Sequence, residues 1–440
     1  MKTRTFRGGA HVDPKKSLTS GSTSIAAKAP AFVYIPLSQH TGAPCKPVVS
    51  VGDAVKMGQL IGEAGGFVSA PIHASISGTV TAIQEMPHPT GRFVECIVIE
   101  NDYEDTPDES IRKEPDPDGL TPEELVARIQ QAGIAGLGGA AFPSHVKYTP
   151  PKDKTVEYVI LNGIECEPFI TADHRMLLEY TDAIVRGLKY IMKAAHAPKG
   201  IIAIEDNKMD AVREMQEATR TEENIQVVVC PEKYPQGSEK QLIYAVTGRE
   251  VPAGGLPMDV GVIVNNVGTA NAVCEAVEDN RPLITRMVTV SGDAVAKPAN
   301  YRVRIGTLFR DLIAESGGLP EIPYVLLSGG LMMGKAMYTD EIPVIKGTSA
   351  VLLLKDSGTP APGERDCVRC ARCIDACPAF LQPTRLNRLA RKHEFEALLK
   401  EENIMSCIEC GSCTYVCPAH IPLLEWIRRG KQGIIRSKIQ

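Results

Sequence analysis

The chain has 440 residues, 43 % of them hydrophobic and 23 % charged, which excludes a mainly disordered chain, a coiled coil and a collagen-like fibre. A net charge of −5 and an aromatic content of 5 % disfavour a nucleic-acid-binding surface. The length predicts about three domains, no run reaches the roughly 18 apolar residues of a membrane helix, and no signal peptide is predicted.

Residues 1–118 predict a β-rich domain followed by an acidic connection. The polar first 30 residues are expected to wrap over another domain. Turn signals at Gly52-Asp53 and Ser77-Gly78 separate short strand-like runs, a pattern that resembles the barrel-sandwich domains of biotinyl and lipoyl carriers. Those carriers present a modified lysine on a hairpin, but the stretch Ala70-Pro71-Ile72-His73 has none, so a structural role is expected. Residues 100–118 carry nine acids and three prolines and predict an exposed linker.

Residues 119–280 predict a Rossmann-like α/β domain. Its first helix begins at Thr121, which can act as the N-cap, with Pro122 in the first turn, and Gly133 ends it. Strand-like runs such as VEYVILN and GIIAIED then alternate with helical runs such as KMDAVREMQEAT. This alternation is typical of a mostly parallel sheet covered by helices.

A glycine-rich loop follows the first helix of this domain. Residues 136–141 match G-x-G-x-x-A, but a dinucleotide fingerprint needs a strand before it and a helix directly after it. Here a helix precedes the loop and Phe142-Pro143 follows it, so that interpretation fails. The loop can still bring backbone N–H groups close to a phosphate, with Lys147 adding positive charge. An ordinary turn is the alternative.

Residues 281–356 predict a small β-grasp domain with one helix, TLFRDLIAESGG, among short strands. Within it, Gly329–Lys335 reads GGLMMGK and fits G-x4-G-K. The next residue is Ala336, which has no hydroxyl for Mg²⁺, so a P-loop is rejected.

Residues 357–440 contain eight of the 13 cysteines. They form two runs with the spacing C-x2-C-x2-C-x3-C-P: Cys367, Cys370, Cys373, Cys377 and Cys407, Cys410, Cys413, Cys417. In two-cluster ferredoxins this run supplies three ligands to one [4Fe–4S] cluster and its fourth cysteine to the other. We therefore expect one cluster on Cys367, Cys370, Cys373 and Cys417, and the other on Cys407, Cys410, Cys413 and Cys377.

Disulfides and structural zinc explain these cysteines less well. Nothing exports the chain to an oxidising compartment, and zinc sites usually use separate CxxC pairs. Between the two runs, residues 386–404 have helical spacing of apolar side chains. The sequence thus predicts a helical two-cluster ferredoxin domain.

Four segments carry a resemblance to a known family: GLGGAAFPSHVKY, VILNGIECEP, YPQGSEKQLI and VNNVGTANAV. In order and spacing they resemble the FMN- and NADH-binding flavoprotein subunit of respiratory complex I. With FRGGAH, the barrel-sandwich segment and the two-cluster end added, nearly the whole chain resembles the RnfC family of the ion-translocating ferredoxin:NAD⁺ oxidoreductase (Rnf) complexes.

The resemblance implies a role for individual residues. The FMN phosphate would be held by Gly136, Gly138, Gly139 and Lys147. The flavin ring, ribityl chain and phosphate would also meet Asn162, Glu165, Gly237, Asn265, Asn266 and Thr269. Phe142 would stack on the nicotinamide nucleotide, and Glu167 and Glu239 would orient its amide or ribose groups. Ile164, Cys166 and Gly268 depart from the complex I pattern, and no catalytic acid or base is expected.

The resemblance also implies the function. The chain would pass electrons between NAD(H), FMN and two [4Fe–4S] clusters, as a peripheral subunit on the cytoplasmic side of the membrane. Its partners would be the integral-membrane and ferredoxin-like subunits of a complex that translocates Na⁺ or H⁺. Three alternatives stay open: a related flavin and iron–sulfur reductase of another acceptor such as cobalamin, a flavin-free electron carrier, and a scaffold that uses the β-grasp segment.

Overall fold

The computed structural model describes residues 4–151, 153–319, 324–355 and 363–437, which form four packed domains. Within those ranges no helix combines the length and hydropathy needed to cross a membrane. The N-terminal domain is preceded by β1 (Ile25–Ala26) and contains seven strands: β2 (Phe32–Pro36), β3 (Lys46–Pro47), β4 (Ala54–Val55), β5 (Leu60–Glu63), β6 (Ile72–His73), β7 (Gly78–Pro87) and β8 (Phe93–Asn101). They form two sheets, β2-β8-β7-β4 and β3-β5-β6. Because strand side chains alternate between faces, Val33, Ile35, Ile97 and Ile99 point into one shared core.

The N-terminal segment lies over the following domains, as expected. Ala10 pairs with Tyr234 in an isolated bridge, and the Gly9 N–H donates to the carbonyl of Ala376 at 3.0 Å. Gly8 has a φ of +89°, and a Cβ there would lie 3.0 Å from the carbonyl oxygen of Cys377. The segment therefore ties the α/β domain to the cysteine-rich domain.

The α/β domain contains four parallel strands and seven helices among the described residues. Their bounds are α1 (Pro122–Gln131), α2 (Ser144–Lys147), β9 (Tyr158–Gly163), α3 (Ala172–Glu179), α4 (Thr181–Ala194), β10 (Lys199–Glu205), α5 (Met209–Ala218), β11 (Ile225–Cys230), α6 (Glu239–Thr247), β12 (Val262–Asn266) and α7 (Val267–Asp279). The strand order is β11-β10-β9-β12. Val159 and Leu161 enter one core and Ile160 enters the other, as expected for a sheet that helices cover on both faces.

The β-grasp domain contains β13 (Thr285–Ser291), β14 (Ala299–Arg304), α8 (Phe309–Glu315), β15 (Tyr324–Ser328), β16 (Lys335–Met337) and β17 (Ala350–Lys355). The strand order is β1-β14-β13-β17-β15-β16, so β1 extends this sheet from the start of the chain. Phe309, Leu312 and Ile313 of α8 are buried against the sheet. The predicted domain limit at 356–357 lies outside the described residues.

The C-terminal domain contains five short helices in its described part: α9 (Arg372–Asp375), α10 (Pro383–Arg391), α11 (Phe395–Lys400), α12 (Ser412–Tyr415) and α13 (Leu423–Ser437). The single helix predicted over 386–404 is wrong, because His393 has a φ of 57° and separates α10 from α11. The break turns Phe395 onto Gly433 of α13, where a Cβ would lie 2.3 Å from the phenyl ring. Side-chain spacing alone does not reveal this close approach.

Gly187 allows α4 to lie directly against α7. A Cβ at this position would lie 1.9 Å from the carbonyl oxygen of Ala270. We predict that Gly187→Ala lowers stability by about 3 kcal/mol, because the backbone of α7 cannot move without disturbing the core. The melting temperature checks this. Gly21→Ala is the matched control, since nothing lies within 4 Å of its added Cβ; equal melting temperatures for the two variants would contradict the packing argument.

Candidate functional site: one cavity and two cysteine pockets

A cavity of about 810 Å³ opens at the carboxyl ends of β9 and β12. In parallel sheets, ligands bind at this edge. Most residues that the sequence assigned to FMN or NAD(H) line the cavity: Gly136, Gly138, Gly139, Phe142, Lys147, Asn162, Glu165, Glu167, Gly237, Glu239, Asn265 and Asn266. Thr269 lies behind the glycine loop instead, fully buried, where its Oγ1 accepts the N–H of Leu137 at 3.0 Å. It positions the loop and does not line the cavity.

The glycine loop presents bare backbone to the cavity. The Gly136 N–H donates to the Phe142 carbonyl at 2.9 Å and closes the loop. Gly139 has a φ of +141°, which L side chains rarely adopt, and nothing lies within 4 Å of its missing Cβ. Behind the loop, Arg286 donates to the Leu137 carbonyl at 3.2 Å. The loop is thus fixed from behind and open in front, as close approach of a phosphate requires.

The asparagines at the strand ends offer amide groups to a ligand. Asn162 donates to the Gly237 carbonyl at 2.8 Å, and Asn266 caps α7 while donating to Asp173 at 2.6 Å. The Oδ1 of Asn265 accepts the hydroxyl of Tyr148 at 3.0 Å. Among the described residues, the buried Nδ2 of Asn265 has no partner. A buried donor without a partner is unfavourable, so a ligand with acceptor oxygens, such as FMN, fits this wall.

The carboxylates of the lining are engaged by backbone groups. Glu165 accepts the N–H groups of Asp173 and His174 at the start of α3. Glu167 accepts the N–H groups of Met332 at 2.9 Å and Met333 at 3.0 Å, in the β-grasp loop. Burial raises the pKa of Glu167. Glu167 therefore anchors a second domain to the cavity, and its predicted contact with NAD(H) stays a prediction.

Sequence reasoning missed several lining residues. Asp173 is one of them, and burial together with the neighbouring Glu165 raises the pKa of its carboxyl group. Others come from outside the α/β domain: residues 38–41 and 88–90 of the N-terminal domain, and residues 328–335 and 345–349 of the β-grasp domain. No local motif marks them, because their place in the wall depends on how the domains pack.

The eight clustered cysteines surround two pockets. Cys367, Cys370, Cys373 and Cys417 line one, and Cys377, Cys407, Cys410 and Cys413 line the other. The fourth cysteine of each run thus lies with the first three of the other run, in the crossed arrangement that the spacing predicts. The free volumes are about 180 Å³ and 20 Å³, so side chains of the second pocket must turn outward around a cluster.

The backbone of the two cysteine runs has the same unusual conformation at equivalent positions. Positive φ angles occur at Arg369, Ala371 and Phe380 in the first half. The second half repeats them at Glu409, Gly411 and His420. The two halves are therefore structural repeats, each folding around one pocket.

The thiol chemistry of the pockets fits iron–sulfur clusters. Burial raises the pKa of Cys413 to about 12 and that of Cys407 to about 11. Thiolates at these positions therefore need a bound cation, which iron supplies. No group of three or more His, Cys, Asp or Glu in the described ranges is arranged around a single metal ion. The cysteines enclose a volume, as the corners of a cubane require.

The second pocket adjoins the large cavity. Ile408 and Cys410 line the cavity, and the hydroxyl of Tyr234 donates to the Cys410 carbonyl at 2.8 Å. Cys367 and Cys370 of the first pocket are exposed. The order from inside to outside is cavity, buried cysteine pocket, exposed cysteine pocket.

Family profiles match four parts of the chain. A profile described as "RnfC Barrel sandwich hybrid domain" matches residues 4–104, and "Nuo51 FMN-binding domain" matches 129–275. "SLBB domain" matches 287–336 and "4Fe-4S dicluster domain" matches 364–421. These matches confirm the predicted fold class and the prediction of FMN and [4Fe–4S] clusters as cofactors.

Curated relatives resemble the chain over nearly its full length. The C-type component of the proton-translocating ferredoxin:NAD(+) oxidoreductase complex of Clostridium ljungdahlii is 47 % identical over 97 % of this chain and 93 % of the relative. The corresponding component of the Na(+)-translocating complex of Acetobacterium woodii is 43 % identical over 100 % and 99 %. The chain belongs to the RnfC family of ion-translocating ferredoxin:NAD⁺ oxidoreductase (Rnf) complexes, as its sequence resemblance predicts.

Solved structures support the fold. An NAD⁺-reducing [NiFe]-hydrogenase in the air-oxidized state aligns with a TM-score of 0.52 and 20 % identity, over 70 % of this chain and 63 % of the hydrogenase chain. At this identity the likeness concerns the fold.

Asn265→Ala tests the flavin wall. We predict about tenfold weaker FMN binding, because one hydrogen bond inside the cavity is lost. Fluorescence titration of flavin-free protein with FMN measures the affinity. Asn224→Ala, at an exposed asparagine outside the cavity, is the control. Equal FMN affinity in the two variants would remove Asn265 from the flavin site.

Paired cysteine variants test the crossed ligation. Cys377→Ala with Cys407→Ala should destroy one cluster and leave the other with four cysteines. Cys377→Ala with Cys367→Ala should take a ligand from both clusters. EPR of the reduced proteins should therefore show an intact [4Fe–4S] signal in the first pair and none in the second. The reverse result would mean that each run holds its own cluster.

Proposed function

We propose that the chain passes electrons between NAD(H), FMN and two [4Fe–4S] clusters, as the NAD(H)-oxidising and NAD⁺-reducing subunit of a ferredoxin:NAD⁺ oxidoreductase complex. One observation carries the proposal: the cavity lined by the glycine loop and the strand-end asparagines is also lined by Cys410 of a cysteine pocket. A flavin site and an iron–sulfur site thus share one wall.

The residues of the chain bind and position the cofactors. The backbone of Gly138 and Gly139 receives the FMN phosphate, and Lys147 adds charge at the end of β12, where its Nζ donates to the Val264 carbonyl at 3.0 Å. Asn162, Gly237 and Asn265 face the flavin. Bound FMN exchanges two electrons with NAD(H) as hydride and passes electrons singly to the clusters. The chain supplies adjacency and shielding from water, and no side chain needs to transfer a proton.

The exposed pocket is where we propose that a partner protein of the complex docks. Cys367 and Cys370 are exposed there, and the neighbouring Val368 keeps 67 % of its surface accessible. A ferredoxin-like subunit at this face would exchange electrons with the outer cluster. Integral-membrane subunits of the complex would hold the chain on the cytoplasmic side of the membrane and couple the electron flow to Na⁺ or H⁺ translocation.

The other functions considered have less support. A cobalamin reductase would leave the N-terminal barrel-sandwich domain unexplained. A flavin-free carrier or a scaffold would leave the cavity and its unpartnered Asn265 amide without a ligand.

An anaerobic NADH titration tests the proposal on the full chain loaded with FMN and reconstituted clusters. NADH should bleach the flavin absorbance and then produce reduced-cluster EPR signals. The same protein without FMN is the control, and its clusters should stay oxidised. Absence of any optical or EPR change in the loaded protein, at every NADH concentration, would contradict the proposed function.

A further inference from the structure

The wall of the cavity opposite the α/β domain comes from two other domains. Residues 38–41 and 88–90 belong to the N-terminal domain, and residues 328–335 belong to the β-grasp domain. These segments lie outside residues 129–275, the part that matches the FMN-binding domain profile. The α/β domain supplies its own flavin wall, so this second wall is left for a second ligand.

The second wall is fixed to the glycine loop and is not a loose flap. Thr41 donates its hydroxyl to the Ala140 carbonyl at 2.6 Å and its N–H to the Ala141 carbonyl at 3.2 Å. On the other side, Glu167 holds residues 332 and 333 through two N–H groups. Gly330 permits this contact, because a Cβ there would lie 2.4 Å from the Glu167 carboxylate.

Lys335 is the free positive charge of this wall. It begins β16, directly after the loop that Glu167 anchors, and its side chain is exposed toward the cavity. The other lining cations are engaged: Lys147 donates to the Val264 carbonyl and Arg286 to the Leu137 carbonyl. Among the described residues, Lys335 is the lysine or arginine of the lining whose side chain has no hydrogen bond or ion pair.

His88 beside Lys335 is held neutral. Its Nε2 donates to the Ser38 carbonyl at 3.0 Å, and its Nδ1 accepts the N–H of Thr90 at 3.2 Å. Burial lowers the pKa of His88, and the charge of Lys335 lowers it further. The positive charge at this end of the cavity therefore belongs to Lys335.

We propose that Lys335 and the wall formed by residues 38–41 and 88–90 bind the pyrophosphate half of NAD(H), so that three domains together select the dinucleotide. The inference rests on the proposed function, since the nicotinamide must reach the flavin from this side. A lysine acts on phosphate as a point charge, and a pyrophosphate carries two negative charges for it to meet. The FMN phosphate, at the glycine loop, would not need Lys335.

The test uses the full chain loaded with FMN and clusters. Lys335→Gln should raise the KM for NADH about tenfold, as loss of a charge-assisted hydrogen bond predicts, and leave kcat and FMN content unchanged. Lys335→Arg should retain most of the affinity. Lys297→Gln, at an exposed lysine of the same domain outside the cavity, is the matched control and should behave as wild type.

Calorimetry provides a readout without turnover. ADP-ribose, which keeps the pyrophosphate, should bind Lys335→Gln about tenfold more weakly than wild type. Nicotinamide mononucleotide, which lacks the pyrophosphate, should bind both equally. Unchanged ADP-ribose affinity, a change in FMN affinity instead, or an effect confined to NADPH would each overturn the assignment. Failure of the proposed function would look different, because NADH would then not bleach the flavin even in the wild type.

Discussion

Buried cations that donate to backbone carbonyls of neighbouring segments hold the walls of the cavity in place. Lys16 of the N-terminal segment donates to the carbonyls of Glu165, Glu167 and Ile170. Lys346 of the β-grasp domain donates to the carbonyls of Pro71 at 2.8 Å and Gly133 at 2.7 Å. Burial lowers the pKa of Lys346 to about 8. A buried ammonium group is unfavourable unless it is fully hydrogen-bonded, so these domains must dock in one arrangement.

That arrangement sets the order of the cofactor sites. The glycine loop lies between Lys346, which donates to Gly133, and Arg286, which donates to Leu137. Its open face looks onto the strand ends, and the other side of the cavity reaches Cys410. Electron transfer between cofactors needs them close together and shielded from water. The packing of four domains around one cavity meets both needs, and leaves Cys367 and Cys370 at the surface for exchange with a partner.

The parts of the account that sequence predicts well are those that local spacing determines. The cysteine runs specify their own turns, so the crossed pockets are predictable from C-x2-C-x2-C-x3-C-P alone. The asparagines at the ends of β9 and β12 are predictable because parallel strands bring their carboxyl ends to one edge. In the same way, the strand and helix alternation predicts the α/β domain without any knowledge of its partners.

The parts that depend on packing between distant segments are not predictable in this way. Thr269 is expected in the cavity, but it lies behind the loop because the first turn of α7 points its hydroxyl at Leu137. The helix over 386–404 breaks so that Phe395 can meet Gly433. GGLMMGK fails as a P-loop, yet Lys335 reaches the cavity because Glu167 anchors the preceding residues. In each case the partner is far away in sequence and carries no local signal.

The central claim is that electrons pass from the flavin to the buried cluster and then to the exposed one. Rapid mixing of the loaded protein with NADH, followed by freeze-quench EPR, tests it most directly when variants of Cys367 and Cys407 assign the two cluster signals. The account predicts that the cluster near Cys410 is reduced first and the cluster near Cys367 second. Reduction of the exposed cluster first, or of either cluster before the flavin, would contradict it.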